Sequence, residues 1–255
     1  MYLPATAAVR RADMEQALVS GAVTTREYRI EVNGDTQVWE ARYEAAIAQR
    51  EMLVREVHHR IKNNLQGVAG LLQQIAQHKP EVAGPIAEIV GQVQAIAQVH
   101  GMQVGTSGLL NLAEVAEAIT VSVQRTFGRT IRFAVADEAV RRWMLPESES
   151  IPIALTINEL LTNAVKHGSA EAAVPVGVGC TLELLSDGVR LRITNRATLP
   201  AGFSLQRIPS GVSGLGLVRA LLPRRHATLA IEQAGADVAT TVDLQSPVVV
   251  RDAAG

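Results

Sequence analysis

Two adjacent histidines, His58 and His59, stand within the polar stretch REVHHRIKNNLQ at residues 55–66. On a helix that turns by about 100° per residue, His59 points away from the apolar seam and His58 lies at its flank. We therefore expect His59 in solvent and His58 in a packing or hydrogen-bonding contact. An accessible imidazole, with an ordinary pKa of about 6.5, keeps a lone pair for nucleophilic attack at cellular pH. A single outward histidine is more often merely solvated, so the helix alone leaves both interpretations open.

A second polar set lies in IPIALTINELLTNAVKHG, residues 151–168. Glu159, Asn163 and Lys166 fall within about 60° of one another on the side of the predicted helix opposite its apolar face. An Asn oxygen suits magnesium, a Lys ammonium attracts phosphate, and a Glu carboxylate can orient or deprotonate a nucleophile. The alternative is an ordinary solvated helix face with a contact between Glu159 and Asn163.

Glycines at 211, 214 and 216 precede an apolar helix in SGVSGLGLVRALL, residues 210–222. Backbone N–H groups and a helix N-terminus at such a place could hold phosphate oxygens. The segment is neither a P-loop nor a dinucleotide fingerprint, so it is weak evidence when taken alone.

The histidines lie on a predicted helix of about residues 40–77, which ends at the breaker HKPEVAGP. A second helix of about residues 85–102 follows, so the pattern predicts an antiparallel helical hairpin. Upstream, residues 5–20 are helical in character, and REYRIEV and TQVWEARY are predicted as strands joined at NGD. The apolar seam of the first long helix consists of Leu53, Val57, Ile61, Leu65, Val68, Leu72 and Ile75.

After GTSG, a linker candidate at residues 105–108, the composition changes to alternating helices and strands. Helices are predicted over about residues 111–127, 150–168 and 214–222. Strands are predicted at TIRFAVA, CTLELL, VRLRITN, ATLAIEQ and VATTVDL, with hairpin turns at SDG and AGAD. This half is therefore predicted to be an α+β layer structure.

Composition limits the possible functions. The chain has 255 residues, enough for one large or two small domains, with 24 basic and 25 acidic residues and a net charge of -1. No general attraction to nucleic acid or an anionic membrane is indicated. The single cysteine, Cys180, excludes an internal disulfide and a Cys-cluster metal site, and a buried thiol in the cytoplasm is expected. We expect neither a membrane span nor a signal peptide, because no apolar run is long enough.

Together these segments resemble a sensor histidine kinase of two-component signalling, in the HWE-like branch. EVHHRIKNNLQGVAGLL is similar to the phosphoacceptor box, with His59 at the phosphorylated position. VQAIAQVHGM is similar to the end of the second dimerisation helix, NELLTNAVKHG to the N box, and SGLGLVRALL to the distal glycine box. The resemblance covers roughly residues 45–245, and the order and spacing of its motifs are far more specific than any one of them.

The resemblance implies an α+β fold in which a two-helix dimerisation hairpin, a four-helix bundle in the dimer, precedes a two-layer Bergerat (GHKL) ATP-binding sandwich. The expected domains are a partial PAS-like segment at 1–44, a dimerisation and histidine phosphotransfer hairpin at 45–104, an ATP-binding domain at 109–246, and a tail at 247–255.

The resemblance also implies a site for ATP and Mg²⁺. Asn163 would hold Mg²⁺, Lys166 and His167 would approach phosphate, and Glu159 would orient or deprotonate His59. The nucleotide-binding set that it implies is Asn163, Lys166, His167, Asn195, Gly214, Leu215, Gly216 and Thr241.

Within that set, Gly214, Leu215 and Gly216 would border the triphosphate under a mobile lid, and Thr241 would lie near the adenine. The first glycine box departs from the family. Its usual DxGxG is replaced by ITNRATLP, so Asn195 stands where an aspartate accepts a hydrogen bond from the adenine amino group. Losing a charge-assisted bond costs about 1–2 kcal/mol, roughly tenfold to thirtyfold in affinity. We expect weakened or altered nucleotide binding.

The function that the resemblance implies is autophosphorylation of His59 by Mg-ATP, followed by transfer to a receiver aspartate of a response regulator. The implied partners are a second copy of the chain and that receiver, with no nucleic acid. Two alternatives remain: a histidine phosphotransfer protein whose ATP-like domain only docks, and a nonenzymatic dimeric scaffold.

Overall fold

The computed structural model of the chain describes residues 36–103, 108–168, 177–222 and 225–252, and for residues 36–51 it describes the backbone alone. The chain divides into two units, residues 1–57 and 58–255. The described part of the first unit is helical. The second unit contains both sheets and all the other described helices.

Two long helices confirm the predicted hairpin elements. Helix α1 spans Thr36–His78, a short 3₁₀ helix spans Pro80–Val82, and helix α2 spans Ala83–Met102. The break falls at the predicted HKPEVAGP, because Pro80 lacks the N–H that would continue α1. No described helix is apolar over a length that could cross a membrane.

The beginning of α1 corrects one prediction. TQVWEARY, predicted as the second strand of a hairpin, is helical from Thr36 onward. No proline or glycine separates it from the helix formers that follow, so helix propagation outweighs the local strand preference of its aromatic and branched residues. The helix predicted at residues 5–20 and the strand REYRIEV lie outside the described residues.

The C-terminal half is a sheet with helices packed on it, as predicted. Helices α3 (Leu112–Phe127), α4 (Glu147–His167) and α5 (Gly214–Leu221) accompany a five-stranded sheet. The strand order is β2-β4-β5-β7-β6, with β2 parallel to β4 and the other neighbours antiparallel. Its strands are β2 (Ile131–Val135), β4 (Val178–Leu185), β5 (Gly188–Arg196), β6 (Ala227–Ala234) and β7 (Asp237–Gln245).

The core lies between this sheet and the helices. Ile157 and Leu161 of α4 belong to the same buried cluster as Leu191 and Ile193 of β5. Cys180 on β4 is fully buried in that cluster, as predicted, and burial raises the pKa of its thiol to about 12. A thiol with so high a pKa carries almost no reactive thiolate at neutral pH.

A second, three-stranded sheet was not predicted. Its order is β1-β3-β8, with β1 at Leu109–Asn111, β3 at Trp143–Pro146 and β8 at Val250–Arg251. Residues 247–255 were expected to be a tail, but Val248 and Val249 are buried and β8 pairs with β3. The strands are only two to four residues long and show too little alternation for a sequence pattern to detect.

Candidate nucleotide and phosphoacceptor site

The two neighbouring histidines have different environments, as predicted. His59 is exposed, whereas His58 is half-buried and its Nδ1 lies 3.1 Å from Nδ1 of His100 on α2. The two rings are tilted by 34°, with their centroids 5.4 Å apart. A hydrogen bond between two ring nitrogens requires one donor and one acceptor, so at least one of these two imidazoles is neutral while the bond persists.

The surroundings of His100 favour its neutral form. Burial lowers the pKa of His100 below the ordinary 6.5, and the nearby His58 lowers it further. A hydrogen bond with Gln103 and the charge of Glu147 act in the opposite direction but do not outweigh the first two effects. The contact between α1 and α2 next to His59 therefore depends on protonation.

Glu159 on α4 is buried and held at both oxygens. It is 3% exposed, its Oε1 accepts a hydrogen bond from Nε2 of Gln92 on α2 at 3.1 Å, and its Oε2 accepts one from the backbone N–H of Gly214 at 2.6 Å. The alternative of an ordinary solvated helix face is therefore wrong for this residue. Its carboxylate joins three segments: α2, α4 and the glycine-rich segment before α5.

The other members of the α4 stripe follow in order toward the end of the helix. Nδ2 of Asn163 is buried and has no hydrogen-bond partner among the described residues. Lys166 forms an ion pair with Glu88 of α2, and its Nζ lies 5.9 Å from the centroid of the Phe127 ring. His167 is exposed and is the last residue of α4. A buried N–H donor without a partner is costly, which is a reason to look for a hydrogen-bond acceptor, such as a ligand oxygen, at this place.

The glycine-rich segment folds tightly against itself. Gly214 begins α5 with φ +59°, a conformation that favours glycine. A Cβ on the buried Gly216 would lie 2.9 Å from the N of Gly211 and 2.9 Å from the O of Pro209. Leu215, between the two glycines, packs against the core. Gly214 and Gly216 are thus required by the backbone, and they place N–H groups at the start of α5.

Asn195 lies near the end of β5, next to the end of α4. It is buried, and a Cβ built on Gly168, just after α4, would lie 3.9 Å from its Nδ2. Asn195 and Ile193 alternate along the strand and share the face that packs on the helices. The structure therefore brings Asn195 toward the same end of α4 as Asn163 and Lys166.

Thr241 does not join this group. It pairs with the exposed Arg192 of β5, whereas Thr240 pairs with Ile193 and therefore lies on the helix-facing side with Asn195. Thr241 lies on the opposite face of the sheet. Thr240 was missed by sequence reasoning, although the alternation of β7 from Val238 to Val242 contains the signal, since residues two apart share a face.

Two residues of α2 were also missed. Glu88 and Gln92 contact the α4 stripe directly, yet neither belongs to a motif. The available signal was Gly91 within a long helix. A Cβ at Gly91 would lie 3.2 Å from Oδ1 of Asn158 on α4, so the glycine permits the close approach of the two helices.

An exposed histidine on a long helical hairpin, followed by an α/β sandwich with these polar residues, defines the class: histidine kinases. Residues 56–127 match the HisKA_2 histidine kinase family. The sensor histidine kinase PdtaS of Mycobacterium tuberculosis strain CDC 1551 is 31% identical over 188 residues, covering 71% of this chain and 36% of PdtaS. LnrJ, a sensor histidine kinase of Bacillus subtilis strain 168, is 26% identical over 150 residues, covering 55% and 36%.

The chain contains a HisKA_2, HWE-type, histidine kinase domain, which confirms the resemblance of its motifs. It spans about a third of the length of the curated relatives that it matches.

A solved structure shares the fold. The histidine kinase domain of the blue-light activated kinase EL346 from Erythrobacter litoralis has a TM-score of 0.53 and 17% identity, covering 77% of this chain and 94% of that domain. This similarity confirms the predicted α+β fold class, a helical hairpin region followed by a mixed α/β domain.

Proposed function

We propose that this chain autophosphorylates on His59 from Mg-ATP and passes the phosphoryl group to an aspartate in the receiver domain of a response regulator. The carrying observation is that His59 is exposed within a matched histidine kinase region while its neighbour His58 is engaged by His100. Of the two adjacent imidazoles, His59 is the one that a phosphoryl donor can reach.

The residues at the end of α4 fit a nucleotide with magnesium. Asn163 offers an amide oxygen of the kind that Mg²⁺ binds, Lys166 offers a cation, and Asn195 offers a buried amide to the adenine. Thr240 shares the face of Asn195, so we assign to Thr240 the role near adenine that the family resemblance implied for Thr241. Bound Mg²⁺ would neutralise phosphate charge, and Asn163 is its proposed ligand.

The proposed reaction is an in-line displacement. A ring nitrogen of His59 attacks the γ-phosphorus, an N–P bond forms, and the P–O bond to ADP breaks, with the electron pair leaving on ADP. The imidazole loses its N–H proton, and Glu159 is the proposed residue that orients His59 or accepts that proton. Positioning of His59 against the γ-phosphate supplies most of the catalysis, because phosphoryl transfer needs little covalent chemistry from the protein.

The exposed apolar residues of α1 support the proposed homodimer. Val68, Leu71 and Ile75 are 46–63% exposed in the single chain. They recur on a long helix, where a second hairpin could cover them and form a four-helix bundle.

Asn195 supports a second candidate function. Because the segment 193–200 lacks both the aspartate and the glycines of the family pattern, nucleotide affinity could fall below the useful range. The chain would then be a histidine phosphotransfer protein that takes its phosphoryl group from a phosphorylated receiver domain.

Incubation with γ-labelled ATP and magnesium tests the kinase proposal. Acid-labile label is expected on the wild-type chain and on His58→Gln, and no label is expected on His59→Gln. Label on His59→Gln, or none on His58→Gln when that variant is folded by circular dichroism, would refute the assignment of His59.

A thermal shift with millimolar Mg-ATP separates the two candidate functions. The kinase proposal predicts an increase in Tm. No shift, together with acceptance of label from a phosphorylated receiver domain, would favour the phosphotransfer protein.

A further inference from the structure

We infer that helix α2 is an autoinhibitory latch on the nucleotide site, an inference that rests on the proposed kinase function. The latch consists of Glu88, Gly91 and Gln92. Gly91 and Gln92 follow Glu88 by three and four residues, one turn along α2, and all three contact or closely approach residues of α4.

The first latch contact, made by Glu88, neutralises the positively charged residue of the site, Lys166. Lys166 is the residue proposed to meet phosphate, and it is paired with the carboxylate of Glu88. Their side chains are 28% and 34% exposed, so water screens the pair only in part. A phosphate group that binds Lys166 competes with the carboxylate of Glu88 for the same ammonium, and the two negative charges repel each other.

The second latch contact, made by Gln92, engages the carboxylate of Glu159 and the glycine-rich segment. Nε2 of Gln92 donates to Oε1 of Glu159 at 3.1 Å and approaches the backbone O of Val212 at 3.5 Å. Glu159 in turn holds the N–H of Gly214 at 2.6 Å. One side chain of α2 therefore fixes both the residue proposed to act on His59 and the segment proposed to border the triphosphate.

Gly91 allows these two contacts to form together. It lies between Glu88 and Gln92, and its missing side chain leaves room for Asn158 of α4, whose Oδ1 would be 3.2 Å from a Cβ there. Close helix approach at a glycine makes the latch sensitive to small displacements of α2. A change in the hairpin that moves α2 would release Lys166 and Glu159 at the same time.

Nucleotide affinity of latch variants tests this inference. Isothermal titration with a nonhydrolysable ATP analogue and magnesium is compared among wild type, Glu88→Gln and Gln92→Ala. Each variant is expected to bind about threefold to fivefold more tightly, since each removes one partly exposed competing contact. Gly91→Leu, which wedges the helices apart without changing charge, is expected to tighten binding as well.

Matched controls are Glu81→Gln, an exposed residue just before α2, and Gln98→Ala on α2 itself, and both are expected to bind like wild type. Equal or weaker binding by all three latch variants would overturn the latch and leave the kinase proposal standing if His59 is still labelled. Absence of nucleotide binding in every variant, with no label on His59, would refute both the latch and the kinase proposal.

Discussion

Helices α1 and α4 carry similar apolar content but bury it differently. On α4, Ile157 and Leu161 are almost completely buried between sheet and helices. On α1, among residues 58–78, only Ala69 is buried, and Leu71 is 63% exposed. The sandwich therefore completes its core within one chain, whereas the described hairpin leaves an apolar surface that only a further surface can cover. Mutations in the sandwich should therefore change the stability of the fold, whereas mutations on the exposed face of α1 should change dimer assembly.

The largest effect is expected in the sandwich. Leu161→Ala removes a fully buried side chain from the common core, so unfolding should become easier by about 2–5 kcal/mol. Urea unfolding followed by circular dichroism measures this change. A loss below about 1 kcal/mol would mean that the core collapses around the missing side chain and that the contrast with α1 is weaker than the burial suggests.

A smaller effect is expected from a substitution on α1, and it should change dimer assembly and not folding. Leu71→Ser should raise the dimer dissociation constant about tenfold, because an apolar side chain that a partner would cover is replaced by a polar one. Sedimentation velocity over a concentration series measures it. The matched control is Val121→Ser, another exposed apolar position, on α3, which should leave dimerisation unchanged. Equal effects of the two substitutions would refute a dimer through α1.

The smallest effect concerns pH. The folded pKa of His100 lies below its unfolded value of 6.5, so the folded state binds fewer protons between those two pKa values. Stability from this group is therefore complete above about pH 6.5 and is lost as the pH falls through the folded pKa. The groups that act on His100 are His58, Gln103 and Glu147. A plot of Tm against pH should be flatter for His100→Gln than for wild type.

The control for this titration is His226→Gln, at an exposed position away from the hairpin, which should keep the wild-type pH dependence. A wild-type slope in His100→Gln as well would show that folding does not lower the pKa of His100.

Local patterns in the sequence were sufficient for most of the fold. The hairpin break, the α4 helix and the five strands of the larger sheet follow from proline, glycine and hydrophobic periodicity, which act within a few residues. The small sheet was missed because its three strands are far apart in sequence and very short. Thr36 and the residues after it were wrongly predicted as a strand, because their local β-preference carries no information about the long helix that runs through them.

The candidate site shows the same limit. His59, Asn163 and Gly216 belong to recognisable motifs, and the structure places them where the sequence suggested: exposed, at the end of α4, and in a tight glycine segment. Glu88 and Gln92 could not be predicted, because their importance depends on which face of α2 meets α4. That is a tertiary fact, and no spacing within α2 encodes it.

The buried thiol has a practical consequence. Cys180 is the single cysteine in the sequence, and it is enclosed by the core with a pKa raised to about 12. A maleimide fluorophore or spin label should therefore leave it untouched, and any cysteine introduced on the surface becomes the sole point of attachment. Donor and acceptor dyes placed on α2 and on the sandwich could follow the distance between them in real time, with no need to remove a native cysteine first.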